Sequence, residues 1–321
     1  MSHFLSQCSV ETLSAAADKL KHGFLVAFPT ETVYGLGADA TNADAVKRIY
    51  VAKGRPADHP LIVHLSNMED MALWSREIPT YAIALARDYW PGPMSLVLLR
   101  SELAQDFITG GQDTVAVRVP DHPLALGLLR EFRKIGGTGL AAPSANRFGH
   151  VSPTTASAVE EEIGDYLTAD DQILDGGSAL VGIESTIIDC TGSHPRILRS
   201  GAITKEMIEE STGLEVVETG SSEIRVSGSM VNHYSPRAKI ILDAMAESGE
   251  GFIALAAIPT PRGAIRLAAP KTTEEYARVL YAALRLADEK GLTRIAVMQP
   301  EGNGLEIAIR DRLTRAAAGR E

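Results

Sequence analysis

Short apolar runs of strand length alternate with segments of helical period along the whole chain, and this alternation restricts the fold more than any single residue does. Residues 11–22 carry Leu13, Ala16, Ala17 and Leu20 on one helical face and stop at Gly23, after which FLVAF reads as a buried strand ended by Pro29. A loop over 29–37 then leads to a helix over 43–53, with Asn42 as its N-cap and Gly54 as its stop. LIVHL, SLVLL, VAVRV, STIID and RIL read as strands at 61–65, 95–99, 115–119, 185–189 and 196–198. Helical stretches at 81–89, 123–134, 154–163 and 204–210 separate several of them. The pattern predicts an α/β protein with a mixed sheet.

The 321 residues exceed the roughly 250–300 at which a single core stops growing, so two domains are expected. The composition changes near Gly220, where TGSSEIRVSGSMVNHYSPRAK is rich in Ser and Gly and has little periodicity. A connector of that length is usually functional or disordered. The chain therefore divides into a first domain over 1–217, a connector over 218–238 and a second α/β domain over 239–321. In the last part KIIL, FIALAAI, AIRLA and RIAVM read as strands of a small Rossmann-like three-layer unit. Its helices cover 273–290 and 305–317, the first with Thr272 and Glu275 at capping-box spacing.

Net charge is −10, which opposes a protein that coats duplexes or lies on membranes. Of the 31 basic and 41 acidic residues, 12 and 11 fall at or after Lys239, which leaves a balance of −11 before it. An anionic ligand must therefore be held by a local cluster of cations. Cys8 and Cys190 are the two cysteines and form no metal-binding spacing, and no apolar run approaches the ~18 residues of a spanning helix. A cytoplasmic location without membrane contact is expected.

Five strings could carry chemistry. FPTETVYGLGADA puts the hydroxyls of Thr30 and Thr32 and a flexible Gly35-Leu36-Gly37 at a strand end, which fits either a ligand-binding edge or a plain tight turn. KGRPADHPLIVHL offers Lys53 and Arg55 as a pair that can hold phosphate oxygens, although a lysine before Gly54 also suits a helix C-terminus. The same string contains His59 and His64, residue types that are more often satisfied polar groups than catalytic ones. TVAVRVPDHP buries Arg118 in an apolar strand, where it needs a carboxylate; an internal acid or a ligand would serve, and the residues alone lean towards the internal acid. AAPSANRFGHVSPTT supplies Ser144, Asn146 and Ser152 before a helix, a neutral phosphate cradle that lacks the P-loop pattern. GIESTIID with LRSGAIT places Ser185 at the start of one strand and Arg199 at the end of another.

Together, PTETVYGLG, KGRP, VRVP, PSAN with SPTT, and GIEST with RSGAI resemble the threonylcarbamoyl-AMP synthase family in its longer form, a YrdC-like catalytic domain followed by a C-terminal domain. The resemblance implies a YrdC-like mixed twisted sheet and the synthesis of threonylcarbamoyl-AMP and pyrophosphate from L-threonine, bicarbonate and ATP with Mg²⁺. A separate transferase would carry the product onto tRNA, and whether this chain itself touches tRNA is left open. By resemblance, L-threonine meets Thr32, His64, Arg118, the backbone at Ala142, and Ser185. ATP meets Lys53 and Arg55, which carry the catalysis, with His59, Thr114, Ser144, Asn146, Ser152, Arg199 and Tyr234. No side chains are implied as metal ligands. The chain departs from the family pattern at His59, where Asn is usual, at Ser95, where Thr is usual, and in SGSMVNHYSP of the connector. A non-catalytic RNA-binding module of the same fold is the competing expectation, and the −11 balance opposes it.

Overall fold

The computed structural model describes residues 4–5, 9–217, 224–228 and 234–319. Cys8, His233 and most of SGSMVN in the connector lie outside these residues. The first sheet consists of β1 (Phe4–Leu5), β2 (Val26–Phe28), β3 (Gly35–Asp39), β4 (Ile62–His64), β5 (Met94–Leu99), β6 (Thr114–Arg118), β7 (Leu140–Ala141), β8 (Gln172–Leu174), β9 (Thr186–Asp189) and β10 (Arg196–Arg199). Its order is β1-β8-β2-β3-β7-β4-β6-β5-β9-β10, with parallel and antiparallel neighbours mixed.

Among the described residues eight α-helices accompany this sheet: α1 (Val10–Lys21), α2 (Ala43–Lys53), α3 (Met71–Trp74), α4 (Thr80–Tyr89), α5 (Asp106–Thr109), α6 (Pro123–Lys134), α7 (Ala156–Ile163) and α8 (Lys205–Thr212). Helices α1 and α6 cover one face through Leu13, Leu20, Leu128 and Phe132, packed on Val26, Phe28 and Leu140. Helices α2, α4 and α7 cover the other through Val46, Ile49, Leu85 and Val159, packed on Leu36, Val63 and Val117. Cap chemistry fixes α2: Asn42 Oδ1 accepts from the amides of Asp44 and Ala45, and Gly54 ends the helix at φ 60°.

The structure corrects the expectation for residues 29–37. Gly35 opens β3, which pairs antiparallel with β2. The glycines there are required for close approach rather than flexibility: a Cβ on Gly37 would lie 2.8 Å from Phe28 Cε1.

The second sheet is parallel, in the order β11-β14-β12-β13, from β11 (Lys239–Leu242), β12 (Gly251–Ile253), β13 (Ile265–Ala268) and β14 (Arg294–Val297). Helices α9 (Thr273–Glu289) and α10 (Leu305–Ala317) share one face with Ile253, Ile295 and Val297. On the opposite face Phe252 and Ala296 pack against Ala246, Ile258 and Ala264, so the third layer is loop. Thr272 Oγ1 caps α9 at the Glu275 amide, while the Glu275 carboxylate reaches back one residue further than a capping box, to the Lys271 amide. The core under α9 and α10 also takes in Val33, Val151, Ile183 and Tyr234, so the two units share apolar packing.

Candidate active site

Strand alternation brings the chemistry to one face. On β4, β5, β6 and at the start of β9, the residues Ile62, Val97, Ala116 and Ile187 pack together beneath Ile224 and Val226 of the connector. With a period of two, the same face carries His64, Ser95, Thr114 with Arg118, and Ser185. A bulge between Ile197 and Arg199 on β10 turns Arg199 towards Ser185: its Nη2 donates to Ser185 Oγ at 3.1 Å and its Nε to Ser185 O at 3.1 Å.

His64, Arg118, Ser185 and Arg199 border a cavity open to solvent, with about 450 Å³ of empty space, lined also by Thr30, Thr32, Ala142, Ser144, Glu184, Ser227 and Tyr234 among others. Every residue expected to meet the amino acid therefore lines one cavity, joined by Ser144, Arg199 and Tyr234 from the nucleotide set. At one end the hydroxyls of Thr30 and Thr32 lie 2.8 Å apart, with the Thr30 oxygen accepting from the amides of Thr32 and Val33. Ser185 Oγ lies 2.8 Å from Ser95 Oγ, so Ser95 supports it from below without lining the cavity itself.

Burial and the neighbouring Arg118 push the His64 imidazole down to about 3, so it is neutral near pH 7. Its Nδ1 donates to the Ile62 carbonyl at 3.3 Å, which leaves Nε2 as an acceptor. Arg118 donates to Glu31 Oε1 at 2.5 Å and to Gly92 O at 3.3 Å, while Glu31 Oε2 accepts from the Asp121 amide. The buried guanidinium thus has an internal carboxylate, Glu31, which the sequence reading did not single out.

The remaining nucleotide residues surround the cavity without bordering it. Lys53 is buried, and its Nζ donates to the carbonyls of Ser144 at 2.5 Å and Asn146 at 2.6 Å; burial, then Arg55, holds its ammonium well below the ordinary lysine range. In this conformation Lys53 acts on the loop that carries Ser144 and Asn146. Burial lowers Arg55 to about 10, with the neighbouring Arg199 guanidinium acting in the same direction. Arg55 lies over the Phe148 ring and donates to Pro60 O. Its Nε and the Oδ1 of Asn146 are both buried without a hydrogen-bond partner, two open polar atoms in residues expected to touch ATP. His59 meets the edge of Phe148 at 5.3 Å, and Ser152 donates to Glu184 Oε1 at 2.6 Å. Thr114 borders a smaller hollow with Pro60, Val226 and Ser227 beneath the connector.

Tyr234 is buried at φ 64°, its ring stacked on Tyr281 of α9 at 5.6 Å and under the Arg312 guanidinium of α10 at 5.3 Å. Glu184 joins this group, accepting from Tyr281 at 2.8 Å and from Arg312 Nε at 2.8 Å. Sequence reasoning missed Glu184, Tyr281 and Arg312, although GIEST contains the first of them. Among the described residues no group of three or more His, Cys, Asp or Glu is placed to hold a metal, and no helix is long and apolar enough to cross a membrane. The cations and hydroxyls are disposed to hold a small amino acid beside a polyanion.

Comparison with known proteins identifies the family. A family model described as telomere recombination matches residues 18–201, and one described as the threonylcarbamoyl-AMP synthase C-terminal domain matches residues 203–318. Threonylcarbamoyl-AMP synthase of Pyrococcus abyssi is 41% identical, over 95% of this chain and 94% of its own length. That of Bacillus subtilis is 38% identical, over 96% and 93%. The solved structure of P. abyssi Sua5 complexed with L-threonine aligns with a TM-score of 0.87 at 36% identity, covering 98% of this chain and 97% of that one. With both parts of the chain matched and relatives aligned along nearly its full length, the protein belongs to the threonylcarbamoyl-AMP synthase family.

Proposed function

We propose that the protein is an L-threonylcarbamoyladenylate synthase, which makes threonylcarbamoyl-AMP and pyrophosphate from L-threonine, bicarbonate and ATP. The observation that carries this reading is the convergence of Arg118, His64, Thr32 and Ser185 with Arg199, Ser144 and Tyr234 on one cavity. Arg118 receives the amino-acid carboxylate while Glu31 keeps its other side occupied. The hydroxyl cluster and the acceptor Nε2 of His64 select threonine over valine, because a buried polar group left unpaired penalises the isostere. Rejection of serine depends on one methyl group and is worth roughly 1–3 kcal/mol.

Threonine's amine takes up bicarbonate as a carbamate with loss of water. A carbamate oxygen then attacks the α-phosphorus of ATP in line, the bond to the β-phosphate oxygen breaks, and pyrophosphate leaves. Arg55 and Arg199 offset charge on the phosphates, and Lys53 holds the Ser144–Asn146 loop against them; catalysis rests on positioning and charge stabilisation. Asn146 Oδ1 and Arg55 Nε, open in the ligand-free chain, are completed by the nucleotide and its water. Mg²⁺ bound with the nucleotide would offset further phosphate charge, without a cluster of acidic side chains to hold it among the described residues. The product passes to a separate tRNA threonylcarbamoyl transferase in the cytoplasm.

Mass detection of the adenylated product tests the reading. Product and pyrophosphate are expected only when threonine, bicarbonate and ATP are all present, with no RNA added. Pyrophosphate release independent of threonine, or dependent on RNA, would overturn it.

A further inference from the structure

Glu184 is a carboxylate in a cavity otherwise furnished for anions. It lines that cavity beside Arg199 and Ser185 and is 6% exposed. Burial alone would push its carboxyl up, yet Arg312 and then Arg199, with hydrogen bonds from Ser152 and Arg312, hold it at about 2, so it is ionised. An ionised carboxylate there has two adverse effects. It repels incoming phosphate, and it competes for the guanidinium that phosphate needs.

Arg312 limits both effects. Arg312, fully buried on α10, donates through Nε to Glu184 at 2.8 Å and through Nη2 to Ser200 O at 2.9 Å. Arg199 feels the charge of Glu184 but gives it no hydrogen bond: its nitrogens donate to Ser185 O, Ser185 Oγ and Ser227 O. Asp311, the other carboxylate on Arg312, has a second cation in Arg315 at 3.0 Å, whereas the second cation acting on Glu184 is Arg199, the one the phosphate needs.

We propose that Arg312 of the second domain is a positioning residue for nucleotide binding, neutralising Glu184 so that Arg199 and the cavity's positive field remain available to ATP. The inference rests on the synthase reading above. Its distinguishing feature is suppression: once Arg312 is lost, removing the charge of Glu184 should restore binding.

The test measures the ATP dissociation constant by calorimetry, with kcat for threonine-dependent pyrophosphate release at saturating ATP, on the full chain. Arg312→Met is expected to raise Kd for ATP at least tenfold with kcat within threefold of wild type, and Glu184→Gln is measured beside it as the reference for the double variant. The double variant Arg312→Met with Glu184→Gln returns Kd to within threefold of wild type. Arg312→Lys keeps the charge and stays within threefold; should Arg312→Met not fold, Arg312→Gln is read in its place, alone and with Glu184→Gln. An unchanged Kd in Arg312→Met, a double variant as weak as Arg312→Met alone, or a tenfold loss in Arg312→Lys overturns the proposal while leaving the synthase reading intact. Wild-type protein that binds no ATP overturns both.

Discussion

Arg118 and Glu31 pair at 2.5 Å at the edge of the cavity, each side chain 5% exposed. Two charges held so far from water depend on each other, because a lone ion there would carry a desolvation cost of several kcal/mol. The same guanidinium lines the cavity, so in the ligand-free chain it is already held in place, and a ligand carboxylate would be its second anion.

Removal of Glu31 should therefore destabilise the protein in a way that threonine partly repairs. Glu31→Ala is expected to lose about 3–5 kcal/mol in urea unfolding, and Glu31→Gln less. Saturating L-threonine should raise the melting temperature of Glu31→Ala more than that of wild type, since its carboxylate supplies the missing anion. A loss below about 1 kcal/mol would show that the pair contributes little.

Arg55 is the second testable cation. Among the described residues its Nε is buried without a partner, and its Nη2 donates to the Pro60 carbonyl at 2.9 Å. A charged hydrogen bond to phosphate is worth about 1.5–3 kcal/mol, so Arg55→Ala should lower kcat/KM for ATP by roughly 10- to 100-fold. Wild-type pyrophosphate turnover in that variant would remove Arg55 from the phosphate clamp.

His64 gives the protein an acid-side weakness. Burial and Arg118 depress its folded-state value from 6.5 to about 3, so below pH 6.5 the unfolded chain binds a proton that the folded chain refuses. Stability from this group is complete above pH 6.5 and declines as pH falls towards 3. At pH 4.5 the loss is about 2–3 kcal/mol. Urea midpoints should fall more steeply between pH 6.5 and 4.5 in wild type than in His64→Gln; parallel slopes would mean that the imidazole is not held neutral.

Legibility in the sequence followed local signals. Helices α2, α6 and α10 begin and end where residues 43–53, 123–134 and 305–317 were read, because period and end signals agree there. Strand β3 was invisible, since GLGAD has neither strand propensity nor alternation and is specified by its fit against Phe28. FIALAAI looked like one long strand, yet the ladder stops at Ile253 and a turn closes Ile258 onto Leu255. In the site, Arg118 stood out as a cation in an apolar strand, whereas Glu31 sat between two threonines and meets its partner 87 residues away. Arg312 falls on the same buried helical stripe as Ala308, Ile309, Leu313 and Ala316, a signal that separates it from Arg310, but its partner Glu184 lies 128 residues away and is invisible to that period.

That burial also sets what a shortened chain should do. The two cores on either face of the first sheet draw on residues no later than Val216, so residues 1–217 alone should retain a cooperative fold with native secondary structure by circular dichroism. The site should not survive equally well. The fragment lacks Ser227 and Tyr234 from the cavity wall, leaves Val33, Val151 and Ile183 without the α9 and α10 packing, and strips Glu184 of Tyr281 and Arg312. An unneutralised carboxylate then faces the phosphates beside Arg199, and kcat/KM for ATP in pyrophosphate release is expected to fall at least about 100-fold, more than loss of one charged contact explains. Turnover equal to that of the full chain would show that the first sheet builds the site unaided. A fragment without cooperative unfolding would place the second unit among the elements that fold the first.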